Sequence, residues 1–238
     1  MKIGKIKPTL LFILSLGFIL FTVIGTVSHE MGHIAVAKAL GYSTELHHAS
    51  MTYDYESSNS RLNEIYGQYQ KEIENDLDFT LKKEFDSLYK KQRTHGLLIS
   101  MGGPLQTCLV GLIGFFLLKY HRKKFPQRFN HWDWLGVFFP LFWLREVYNL
   151  LTSIGSKIID PQTFSYFGGD ELNIAYYLEI WEGSVAISLG AIGLGISLLV
   201  IFKYLPHQYR LTFILSGLIG GNIGFYLWIY QLGPLVLP

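Results

Sequence analysis

Five apolar runs decide what this chain can become. They fall near residues 9 to 28, 97 to 118, 134 to 152, 184 to 202 and 211 to 230, and each is close to the ~20 residues that cross a hydrocarbon core as helix. Half of the 238 residues are hydrophobic, and they come in blocks rather than stripes, which is the pattern of membrane helices. The expectation is an all-α polytopic membrane helical bundle with about five transmembrane helices. Residues 1–41 would hold the first helix, 42–96 an amphipathic helical insertion outside the membrane, and 97–238 the rest of the bundle. The net charge of +2 means little as a total, and nothing in its pattern points to nucleic acid.

Lys2, Lys5 and Lys7 precede the first run as they would in a cleaved signal peptide. Thr26-Val27-Ser28 is a poor cleavage site, however, and apolar character resumes from Ile34 to Leu40, so the first helix is read as retained. Pro8 suits its start and Gly41 its stop. A straight helix of that length would be roughly 50 Å long at 1.5 Å per residue, so it must tilt, bend or protrude beyond a ~30 Å hydrocarbon core.

Inside this helix stands His29-Glu30-Met31-Gly32-His33. Residues four apart lie one turn above each other, so His29 and His33 can aim imidazole nitrogens at one ion while Glu30 leans toward its open side. That is the arrangement of a zinc site with a built-in base, and polar groups at membrane depth belong in a bundle interior or a water-filled cavity.

Residues 42 to 56 are rich in Thr and Tyr and alternate loosely, which predicts a short strand or hairpin. From Leu62 to Leu88, apolar residues recur at three and four spacing among Glu, Asp and Lys, predicting one or two amphipathic helices outside the bilayer core. Such a helix beside the site could gate it, but an ordinary packing face is the simpler reading. The second run opens with Gly102-Gly103-Pro104, which allows close backbone approach and frees hydrogen-bonding groups, as at the border of a cavity. Cys108 lies within it as a lone structural thiol with no disulfide partner.

Lys119, Arg122, Lys123, Lys124 and Arg128 then stand against Asp133 alone. By the positive-inside rule this loop and the N-terminus are cytoplasmic, and the 42–96 insertion and the 160–182 stretch face outward. Arg145 and Glu146 diverge by ~100° on a helix and are expected to pair with other helices rather than with each other. Asp170, after Gly168 and Gly169, is placed either to complete a metal site or simply to cap a helix. The glycines of the last two runs, at three and four spacing, mark close helix packing.

With these residues in view, the chain resembles the site-2 protease class of intramembrane zinc metalloproteases. The resemblance rests on His29-Glu30-Met31-Gly32-His33 followed by Ala35, Ala37, Ala39 and Gly41, on Gly102-Gly103-Pro104-Leu105, and on Gly168-Gly169-Asp170 after Asn149-Leu150-Leu151. It covers about residues 20 to 180. It implies Zn²⁺ held by His29, His33 and Asp170, with Glu30 as general base for a water attacking a peptide bond, and Asn149 as a hydrogen-bonding partner of the substrate backbone. The implied substrate is a membrane protein or peptide cut in or near the bilayer, and the expected location is the cell membrane. Thr107 and Thr152 stand where the family has Asn and Pro, and Asp170 follows its glycines rather than preceding one, which keeps Glu171 and Asp160 in reserve as ligands. The family keeps its zinc toward the cytosol, whereas the charge rule puts this end of the first helix outside. Two rival readings remain: a non-catalytic membrane metal carrier or scaffold, and a zinc enzyme using Glu146 or Glu171 as third ligand.

Overall fold

The computed structural model describes residues 4–54, 59–126, 129–160 and 167–237. Lys2 and Arg128, from the two basic clusters, and residues 55 and 56 of the expected hairpin stretch lie outside these. The chain is nearly all helix. Helix α1 spans Pro8–Ala39, with Pro8 in its first turn, where a missing N–H costs nothing. A two-stranded antiparallel hairpin follows, β1 (Thr44–Leu46) against β2 (Met51–Tyr53), with Glu45 opposite Thr52. Then come α2 (Ser60–Gln68), α3 (Gln70–Glu74), the 43-residue α4 (Lys82–Lys124), α5 (His131–Phe138), α6 (Leu144–Ile159) and α7 (Gly169–Tyr177). The last long helices are α8 (Ser184–Leu199) and α9 (His207–Tyr226), each ending in a π-helical turn, before the short α10 (Gly233–Val236).

Two elements differ from the sequence expectation. The second run is not a helix that begins near residue 97, because the amphipathic stretch from Lys82 feeds into it without a break and makes one long rod. The third run, 134 to 152, is not one uninterrupted helix. Pro140 cannot donate to the ladder, and Phe139–Trp143 tightens into a 3₁₀ turn between α5 and α6. Four helical stretches are long and apolar enough to cross a membrane: Pro8–Ala39, Lys82–Lys124, Ser184–Tyr204 and His207–Val236.

Helix α1 lies between α4 and α9. Where α1 crosses α4, Gly32 and Gly102 put backbone against backbone; a Cβ on Gly102 would sit 2.6 Å from the Gly32 carbonyl oxygen. At the other end of α1 the core is built from Leu14, Phe18, Leu118, Val137, Phe138 and Phe213, with the Phe18 ring 5.0 Å from Phe138 and 5.1 Å from Phe213. Residues of both basic clusters lie at that same end: Lys7 packs over the Tyr209 ring and Arg122 over Phe129, and nearby Arg210 donates to Leu205 O. The opposite end is tied by the hairpin. His48 N donates to Leu237 O at 3.0 Å, and Trp228 Nε1 donates to His48 O at 2.7 Å. In the insertion, α2 buries Leu62 and Ile65, and Arg61 pairs with Glu84 of α4 at 2.8 Å.

Candidate metal centre

Three side chains from distant parts of the chain meet at one point. His29 and His33 leave α1 one turn apart, 1% and 5% exposed, and Met31, on the other side of the helix, is 48% exposed. Asp170 arrives from the first turn of α7. Its entry is set by Gly168 in an extended conformation and Gly169 at φ +70°, a left-handed backbone that favours glycine. Asp170 Oδ2 lies 2.9 Å from His29 Nε2 and 3.2 Å from His33 Nε2, and the two Nε2 atoms are 3.2 Å apart. Asp170 is not the cap of α7. The cap residue is Gly168, with no side-chain bond, so the carboxylate is committed to the histidines.

Helix α4 holds the imidazoles from behind. Ile99, Gly103 and Thr107 recur every four residues and form one stripe facing α1. Ile99 O is 2.6 Å from His33 Nδ1, and Thr107 Oγ1 is 2.9 Å from His29 Nδ1. Gly103 N also approaches His33 Nδ1, at 3.3 Å, but one nitrogen cannot both donate and accept. The carbonyl can only accept and is far closer, so Nδ1 carries the proton and donates to Ile99 O. In its neutral form His33 then turns a bare Nε2 toward a second imidazole nitrogen and a carboxylate oxygen. A cation among these atoms would take a lone pair from each, and the three ligand atoms all lie within 4.8 Å of one another. A buried His29, His33, Asp170 group of this kind can hold a metal ion.

Burial alone would raise the Asp170 carboxyl. Imidazoles that donate to it outweigh burial and hold it well below the usual carboxylate range; where bare Nε2 atoms face it instead, a cation would take that role. Gly103 is required by space: a Cβ there would fall on His33 Nε2 and His29 Nε2.

Glu30 is 5% exposed, and the nearest cation to it is Arg145, whose Nη2 stands 3.8 Å from Glu30 Oε1. Arg145 therefore reaches another helix, as its spacing from Glu146 requires. Glu146 forms no salt bridge among the described residues; it buries its carboxyl beside that of Glu171, at 1% and 2% exposure. Neither glutamate belongs to the His29, His33, Asp170 group, and Asp160 lies at the exposed end of α6. Asn149 is half-buried, with Nδ2 donating to Glu171 Oε1 at 2.8 Å, and it also lines a cavity between α1, α6 and α9. Thr152 donates to Asn149 O and leaves α6 unbroken.

Sequence reasoning missed the support that Thr107 gives His29. Its spacing from Gly103 was the available signal, since the two share a helix face. No family model matches this chain, and neither a curated protein nor a solved structure matches it.

Proposed function

We propose that this protein is an intramembrane zinc metalloprotease of the site-2 protease kind, cutting peptide bonds of membrane proteins or peptides in or beside the bilayer. The observation that carries the reading is the meeting of the His29 and His33 Nε2 atoms with the Asp170 carboxylate while Glu30, beside His29 on the same helix, stays outside that group. Two histidines and one carboxylate suit Zn²⁺, which when bound would polarise the scissile carbonyl and lower the pKa of a water.

The chain's own groups do the rest. Thr107 and the Ile99 carbonyl fix the ring orientations. The Glu30 carboxylate takes the proton of the attacking water and hands it to the leaving amine nitrogen. A helical substrate has its carbonyls tied into i to i−4 bonds and must unwind locally before it can be attacked. Lys5, Lys7 and Lys119 to Lys124 lie at the end of the bundle remote from the site; if that end is cytoplasmic, the site faces the outer half of a cell membrane.

Glu30→Gln tests the reading, because it keeps size and polarity but removes the base. In reconstituted bilayers the variant should retain its metal and cleave at least roughly 10²-fold more slowly. Unchanged cleavage, or a metal-loaded wild type that cleaves no membrane peptide, would sink the protease and favour a metal carrier or scaffold.

A further inference from the structure

A cavity of about 650 Å³ opens between α1, α6 and α9, next to the metal centre. It touches the centre through two residues: Thr107, which is bonded to His29, and Arg145, which stands beside Glu30. Its walls are aromatic and aliphatic, Phe18, Phe142, Phe225 and Ile229 among them, and Arg145 is the one charged side chain among the described residues that line it.

That arginine is only partly satisfied by the protein, through its ion pair with Glu30. Its Nε is buried without a hydrogen-bond partner, and its Nη2 is 3.8 Å from Glu30 Oε1, too far for a direct bond. A guanidinium in apolar surroundings costs free energy unless an anion meets it, and its planar fork matches a carboxylate through two parallel bonds. The volume is that of a pocket taking several side chains.

We propose that this cavity binds an apolar peptide segment through a carboxylate near the bond to be cut, with Arg145 as the anchor; the inference rests on the peptidase reading above. Either of two groups supplies that carboxylate, the α-carboxylate of a chain end or the side chain of an Asp or Glu. In both cases the apolar residues fill the pocket while the anion meets Arg145 at the Nε that Glu30 leaves open. The site then selects substrates by charge as well as by apolar character, which a bilayer full of apolar helices makes necessary.

Binding to the full-length protein in nanodiscs of neutral lipid, with a chelator present to prevent turnover, decides the matter. Three fluorescent peptides share one short Leu/Phe-rich sequence: a free acid, its C-terminal amide, and the amide with one Glu. One or both carboxylate peptides should bind wild type at least roughly tenfold more tightly than the plain amide, and which one does so identifies the source. Arg145→Gln should reduce binding to the amide's level, and Arg145→Lys should keep part of the preference. Gly221→Phe should weaken all three alike, because Gly221 lines the cavity and a Cβ there meets nothing within 4 Å. Equal binding of the three peptides to wild type overturns the proposal without needing any variant to fold. So does a preference that survives in Arg145→Gln, or displacement of every peptide by phosphatidylglycerol, which would make the occupant a lipid. A carboxylate preference without cleavage by the zinc-loaded protein would refute the protease and leave this site standing; cleavage without preference would do the reverse.

Discussion

Gly103→Ala asks whether the two imidazoles are held as firmly as a metal site needs. The added methyl would fall on His33 Nε2 and His29 Nε2, the atoms that face Asp170. Neither ring can swing aside freely, since His33 is pinned to Ile99 O at 2.6 Å and His29 to Thr107 Oγ1 at 2.9 Å. Helix α4 cannot easily lift away either, because Gly102, one residue earlier, already rests on the Gly32 backbone. Overpacking of this kind costs about 1–3 kcal/mol. If one or two of the ring hydrogen bonds give way, each adds ~0.5–1.5 kcal/mol, for a total of about 1.5–6 kcal/mol. On the metal side, disturbing the support of a ligand weakens affinity by about 10–100-fold. The assay is metal retention against a graded chelator together with thermal denaturation in detergent. Gly221→Ala is the control, because its Cβ meets nothing within 4 Å. A Gly103→Ala protein that keeps its metal at the wild-type chelator concentration and melts with wild type would refute the packing argument.

Thr107→Val keeps the side chain's shape and removes the oxygen bonded to His29 Nδ1; metal affinity should fall about 10–100-fold with the fold intact, and Thr107→Ser should restore most of it. Equal affinity in the valine variant would remove Thr107 from the site. Topology is read with single cysteines at Asp78 and Lys124, both exposed, in a Cys108→Ser background. In intact cells an impermeant thiol reagent should label position 78 only, and labelling at 124 instead would turn the metal centre toward the cytosol.

The parts of this molecule that were legible in the sequence are those written at short range. His29, Glu30 and His33 share one helical turn, and the apolar runs carry four helices long enough to cross a membrane. The hairpin showed in the loose Thr and Tyr alternation of residues 42 to 56, within which Thr44 pairs with Tyr53. Asp170 stands 137 positions beyond His33, and what made it visible was the Gly168-Gly169 pair, whose left-handed turn aims it. Thr107 was hidden because the resemblance prompts for an asparagine there, while its actual partner is a ring on another helix. Arg145 and Glu146 are adjacent in sequence, yet one meets Glu30 and the other Glu171; only packing decides that. The third run read as one span on hydropathy, because a window average does not register what a single Pro140 does to the ladder.

Metal content of the purified protein, measured by elemental analysis beside three variants, tests the central claim most directly. Wild type should carry one zinc per chain. His33→Ala and Asp170→Ala should lose it, while Glu171→Gln, which keeps its bond to Asn149 and lies outside the ligand group, should retain it. A wild type that binds no metal under zinc-replete expression, or an Asp170→Ala protein that keeps zinc while Glu171→Gln loses it, would contradict the assignment of His29, His33 and Asp170 as the metal centre.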